Sequence, residues 1–267
     1  MPSADPPFTP VVQRLPPTVP FVGPEALERR SGRALRVRCG ANESPFGVSP
    51  AAAEAMRAAV DDVWMYNDPE AYDLKQALAA SHGLATGHVH VGAGIDEILG
   101  DIVRLVCADG DVIVASRGTY PTFQYHVHGY GGRLVDVAYA DDRVDLDGLA
   151  QAASLHAAHL VYLANPDNPM GTWHAGDDLA RLLGRLPPDC LLLVDEAYAD
   201  FAPARAQIEP GIQDPRLVRT RTFSKAHGMA GVRIGYALAH EDVIAALQRI
   251  RNQFGVNRLA QVGALAS

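Results

Sequence analysis

The run Leu191-Leu192-Leu193-Val194-Asp195-Glu196-Ala197-Tyr198 decides the fold. Four consecutive apolar residues with no polar alternation suit a strand buried on both faces, the pattern of a parallel sheet covered by helices on either side. The acidic pair then falls at the strand's carboxyl end. Working outward, similar short apolar runs stand at 88–91, 111–115, 134–138, 160–164, 217–222 and 234–239. Helical patterns at 96–106, 122–129, 146–157 and 177–186 separate several of them. Strands alternating with helices of this length predict a three-layer α/β/α sandwich around a mostly parallel seven-stranded sheet.

Upstream, an Ala-rich helix over 50–60 is entered through Ser49 and Pro50, and a second over 73–81 is closed by Gly83. Prolines recur from Pro2 to Pro24, so residues 1–45 read as an extended Pro-rich arm and 46–267 as the body. Helical patterns over 242–250 and 259–266 follow the last strand. The second stops without a capping glycine or polar tail and reads as an element cut short.

The chain has 267 residues, 48% hydrophobic and 20% charged, with a formal net charge of −8 and no basic run. That balance argues against nucleic-acid or anionic-membrane partners. Cys39, Cys107 and Cys190 are far apart and odd in number, which does not make a disulfide framework. Cys107 and Cys190 lie in or beside apolar runs and read as core. No signal-peptide pattern and no run near the ~20 residues of a membrane helix stands out, so a reducing cytoplasm is the expected location. The glycosylation-like Asn42-Glu43-Ser44 reads as accidental in that setting.

Polar clusters sit where the strands end, the place where open α/β sheets bind ligands. After the first strand comes Gly92-Ala93-Gly94-Ile95-Asp96-Glu97, which suits either a phosphate at a helix N-terminus or a plain turn. Glu97 stands where a dinucleotide fingerprint wants its third glycine. After the fourth comes Asn165-Pro166-Asp167-Asn168-Pro169-Met170-Gly171-Thr172, a rigid turn that can aim an asparagine. Asp195, at the edge of the core, needs a partner, either an arginine or a protonated ring nitrogen.

After the sixth strand comes Thr222-Phe223-Ser224-Lys225-Ala226-His227-Gly228-Met229-Ala230-Gly231-Val232-Arg233-Ile234-Gly235. Only two of the 23 basic residues are lysines, Lys75 and Lys225. Arginine cannot shed its proton, so a lysine kept in such a stretch is a candidate for amine chemistry. Thr222, Ser224 and Arg233 together can hold a phosphate. His88-Val89-His90 and His126-Val127-His128 have zinc-like spacing on a strand, but no third ligand is apparent, the second pair reads as helical, and no metal is expected.

With these motifs in this order, the chain resembles the fold-type I pyridoxal-phosphate aminotransferases of class I/II, nearest the histidinol-phosphate aminotransferase branch. The matching segments also include Ala41-Asn42-Glu43-Ser44-Pro45-Phe46-Gly47 and Thr119-Tyr120. The resemblance implies the large domain of that fold and pyridoxal 5'-phosphate as cofactor. It implies a Schiff base on Lys225, whose freed amine then moves a proton. Asp195 would pair with the pyridinium nitrogen, Asn168 and Tyr198 with the ring's 3-oxygen, and Tyr120 would stack on the ring. Thr222, Ser224, Arg233 and the backbone at Gly94, Ile95 and Asp96 would hold the phosphate. Tyr66 would reach the phosphate of a partner subunit in a homodimer, and Asn42 would lie near the substrate.

Two departures stand out. Met170 replaces the threonine usual in the asparagine loop, and the chain reads as ending before the small domain that carries an arginine for the substrate α-carboxylate. Neither Arg251 nor Arg258 is assigned that role. The implied activity is transfer of an amino group between an L-amino acid or histidinol phosphate and 2-oxoglutarate. The alternatives are a related decarboxylase of the threonine-phosphate type, and a cofactor-binding fragment without turnover.

Overall fold

The computed structural model describes residues 6–18, 21–209 and 214–267. Pro2 and Pro20 lie outside the described residues. Ten α-helices and seven strands follow one another in the described chain. They begin with α1 (Pro10–Arg14), α2 (Pro24–Ser31), α3 (Pro50–Ala58) and α4 (Tyr72–His82). Next come β1 (Val89–Gly92), α5 (Ile95–Val106), β2 (Val112–Ser116), α6 (Pro121–Gly129) and β3 (Arg133–Val137). The series continues with α7 (Leu146–Leu155), β4 (Leu160–Ala164), α8 (Gly176–Arg185), β5 (Leu191–Asp195) and β6 (Leu217–Thr222). It closes with β7 (Gly235–Ala239), α9 (Glu241–Ile250) and α10 (Arg258–Leu265).

All seven expected strands are present, in one sheet of order β1-β7-β6-β5-β4-β2-β3. Only β7 runs against its neighbours. Its reversal brings Gly235, at the start of β7, level with Gly92 and Thr222, at the ends of β1 and β6. The carboxyl ends of the other six strands therefore share one edge with the entry to β7.

Alternation along the strands sorts the core into two faces. Val161, Leu163, Leu192 and Val194 pack against α7 and α8, while Leu160, Tyr162, Leu193 and Val218 pack with α5, α6 and α9. A third cluster joins Val89, Val91, Tyr236 and Leu238 to α4 and α10. Most of these side chains are fully buried, at roughly 1.5–3 kcal/mol each. Cys190 belongs to the first cluster, and Cys107 is only half-buried at the margin of the second.

The arm departs from the expectation of an extended segment. It contains α1 and α2, each with its proline at the start, where the missing N–H has no helical partner to lose. Thr9 caps α1 through its hydroxyl. Arg14 pairs with Asp109 and Thr18 meets the Tyr125 hydroxyl, tying the arm to the body. Ser49 and Gly83 cap α3 and α4 as the sequence suggests.

Candidate functional site

The phosphate-like corner forms where β1 runs into α5. Gly94 has φ of +91°, and a Cβ there would strike the Arg233 guanidinium, lying 3.0 Å from its Cζ. Glycine is thus required twice, by conformation and by the closeness of a cation. The first N–H groups of α5, on Ile95 and Asp96, have no partner within the helix. Arg233 itself takes a left-handed conformation (φ 64°), uncommon for a residue with a side chain. Its guanidinium donates to the Ala230 carbonyl at 2.8 Å and to Ser224 Oγ at 3.4 Å. Thr222 Oγ1 accepts from the Ser224 N–H at 3.0 Å, fixing the turn after β6. A helix N-terminus, an arginine and two hydroxyls converge here in an arrangement suited to a phosphate dianion.

At the end of β5, alternation sends the two acidic residues to opposite faces. Glu196 turns to the side where β6 presents Arg219 and Arg221. It accepts from Arg219 at 2.8 and 3.0 Å and from Arg221 at 2.8 Å. Asp195 turns to the other side, 5% exposed, and among the described residues no cationic side chain hydrogen-bonds to it. It accepts from the Ala197 N–H at 3.0 Å and from the Tyr162 hydroxyl at 3.1 Å. Burial lifts its carboxyl to about 6, against the pull of those two donors. The arginine partner left open by the sequence therefore belongs to Glu196, and Asp195 keeps capacity for a cation from a ligand.

Lys225 approaches from the turn after β6. Its Nζ donates to the Ala41 carbonyl at 2.7 Å and lies 5.7 Å from the centre of the Tyr198 ring. Burial pushes the amine below its ordinary value, with Asp195 and Glu43 pulling the other way. The Tyr198 hydroxyl accepts from Asn42 Nδ2 at 2.9 Å, so the segment at 41–42 closes over both side chains. Asn42 has φ of 52°, a conformation that asparagine tolerates. Burial also raises the Tyr120 and Tyr198 hydroxyls.

Asp167 organises the asparagine loop. Its carboxylate accepts from the Tyr139 hydroxyl at 3.0 and 3.2 Å and from the Met170 N–H at 3.1 Å. The backbone thereby anchors position 170, and the side chain of Met170 points outward, 39% exposed. Asn168 follows on the partly buried side of the turn.

Tyr66 stands apart. It is 79% exposed, with its ring 4.7 Å from Phe254. Arg251 and Arg258 donate to the backbone carbonyls of Pro69 and Tyr66. His88 meets the Ala239 carbonyl, His90 meets Gln248 and His126 meets Asp96. Two participants went unnoticed in the sequence, the hydroxyl of Tyr162 and the carbonyl of Ala41. Tyr162 carried a signal, since a tyrosine inside an all-apolar strand needs a partner for its hydroxyl.

The family model described as aminotransferase class I and II matches residues 37–267. A histidinol-phosphate aminotransferase of Anaeromyxobacter sp. is 36% identical over 267 residues, covering 97% of this chain and 72% of that protein. Another, of Roseiflexus castenholzii, is 39% identical and covers 97% and 70%. The crystal structure of histidinol-phosphate aminotransferase from Sinorhizobium meliloti in complex with pyridoxal-5'-phosphate superposes with a TM-score of 0.94 at 50% identity. It covers 99% of this chain and 71% of that one.

Proposed function

Since the chain belongs to the class I and II aminotransferases, we propose that it moves an amino group between an L-amino acid or histidinol phosphate and 2-oxoglutarate, with pyridoxal 5'-phosphate as cofactor. The name shared by its relatives supports histidinol phosphate as the donor to test first. The observation that carries the cofactor reading is Asp195, a buried carboxylate held by two neutral donors and free to face a cationic ring nitrogen.

The residues present fit the cofactor. Gly94, Ile95, Asp96, Thr222, Ser224 and Arg233 supply the glycine-floored, cation-backed corner that a phosphate needs. Pyridoxal phosphate supplies an aldehyde for an amine and a protonated ring that draws electrons from the substrate's α-carbon. Asp195 keeps a proton on the ring nitrogen by its charge. Lys225 would supply the amine for that aldehyde, and burial, by lowering its basicity, leaves more of it neutral at working pH. The same amine would serve as the base that moves the proton of the substrate's α-carbon. Asn168 and Tyr198 would hold the ring's 3-oxygen, Tyr120 would cover the ring, and Asn42, bonded to the Tyr198 hydroxyl, would orient the substrate. Excluding water around Asp195 strengthens its pairing with the ring.

The exposed side chains of Val63, Trp64 and Tyr66 support a homodimer in which Tyr66 serves the partner's phosphate site. Sedimentation tests this reading. A dimer that dissociates in Trp64→Arg supports it, and a cofactor-competent monomer of the unaltered chain refutes it. A screen of amino donors against 2-oxoglutarate tests the substrates. Preference for histidinol phosphate is expected, and release of carbon dioxide from threonine phosphate instead would identify the decarboxylase.

A further inference from the structure

We propose that Tyr162 is a positioning residue for the cofactor, acting through Asp195 by holding and polarising the carboxylate that faces the ring nitrogen. This rests on the reading of Asp195 given above. Tyr162 is fully buried in the middle of β4, where its strand neighbours are all apolar. Its ring stacks on Phe123 at 4.0 Å between centroids and 15° between planes. In the sheet register Tyr162 sits beside Leu193 and Ala164 beside Asp195, so hydroxyl and carboxylate are diagonal neighbours on one face.

The hydroxyl donates to Asp195 Oδ2 at 3.1 Å, and the Ala197 N–H holds Oδ1 at 3.0 Å. Each carboxylate oxygen thus has one donor from the protein. Burial keeps the Tyr162 proton in place far into the alkaline range, so the hydroxyl acts as a donor at every working pH. A donor on a carboxylate disperses its negative charge and makes it a weaker base. With the hydroxyl in place, the proton shared between Asp195 and the ring stays on the ring. Without it, Asp195 draws that proton toward itself and the ring becomes less cationic.

Tyr162→Phe removes the hydroxyl and keeps the stacked ring. The readout is the pH midpoint of the visible absorbance band of the protein loaded with pyridoxal phosphate. A less cationic ring makes the nitrogen joined to Lys225 more basic, so the midpoint is expected to rise by about half a pH unit or more, the reach of one hydrogen bond to a charged group. The cofactor's Kd should weaken by about threefold to tenfold. Asp195→Asn should raise the midpoint further. Phe123→Leu, which weakens the stacking but leaves the hydroxyl, should lower the Tm and leave the midpoint in place. An unmoved midpoint in Tyr162→Phe, with a moved one in Asp195→Asn, overturns the role of Tyr162 alone. A midpoint that moves in Phe123→Leu as far as in Tyr162→Phe overturns it too. If Asp195→Asn also leaves the midpoint unchanged, the pairing of Asp195 with the ring is itself wrong.

Discussion

The Lys225 amine donates to the Ala41 carbonyl at 2.7 Å, joining residues 184 positions apart. The bond holds the amine at the sheet edge before any ligand arrives. Burial of that amine lowers its basicity from the ordinary lysine value. The rate at which pyridoxal phosphate is captured should therefore rise with pH to a midpoint below the ~10.4 of a free lysine side chain. Stopped-flow absorbance measures this, and a midpoint at or above the free value would count against a desolvated amine.

Asp195 predicts a pH-dependent stability of the cofactor-free protein. Its folded carboxyl stands at about 6, against 3.8 for an ordinary aspartate. The folded state therefore holds the proton more tightly than the unfolded one. The associated stability is complete below pH 4 and is lost as the pH rises through about 6, on the order of 3 kcal/mol in all. Asp195→Asn removes this dependence. Denaturant melts should show the variant more stable than the parent at pH 8, with the gap closing by pH 4.

Gly94→Ala should damage both folding and cofactor capture. A backbone at φ 91° and ψ 165° disfavours any side chain by about 1–3 kcal/mol, and the added methyl displaces the Arg233 guanidinium. Loss of one charge-assisted contact to the phosphate implies at least about a tenfold weaker Kd. Fluorescence titration with pyridoxal phosphate checks the affinity and thermal melts check the fold.

Glu196→Gln should be severe for a different reason. Arg219 and Arg221 are both buried and both donate to Glu196. Removing that charge leaves Arg219 without a carboxylate partner among the described residues and Arg221 with only Asp200, at 3.9 Å. The expected loss is about 3–5 kcal/mol in urea unfolding. Glu196→Leu should be no gentler, since Arg219 then loses both of its hydrogen bonds and Arg221 keeps only Gln207 and the more distant Asp200.

Much of this was legible in the sequence because each part had a local cause. The runs 160–164 and 217–222 are strands with the expected bounds, since β-branched and aliphatic residues buried on two faces leave no competing helical pattern. The motifs around Gly94, Asn168, Asp195 and Lys225 were visible because turn chemistry and strand ends place them. What the sequence did not disclose depends on distant pairing. The bond from Lys225 to Ala41 and that from Asn42 to Tyr198 join segments more than 150 residues apart. The division of labour between Asp195 and Glu196 is a matter of which sheet face carries Arg219, and that required the register of β5 with β6. The prolines of the arm suggest extension, whereas in the fold Pro10 and Pro24 each begin a helix.

The assignment of Lys225 as the cofactor lysine is open to one direct measurement. Lys75, the other lysine, is also half-buried with lowered basicity, and it lines a small cleft with Gln248 and Arg251. Low basicity alone thus does not distinguish the two, and only Lys225 has Asp195 and the Arg233 corner beside it. The protein is incubated with pyridoxal phosphate, reduced with borohydride, digested and mapped by mass spectrometry. The fixed cofactor is expected on the peptide carrying Lys225, with the visible band lost on reduction. Label on Lys75 instead, or no label above the level of denatured protein, would show that Lys225 is not the cofactor lysine.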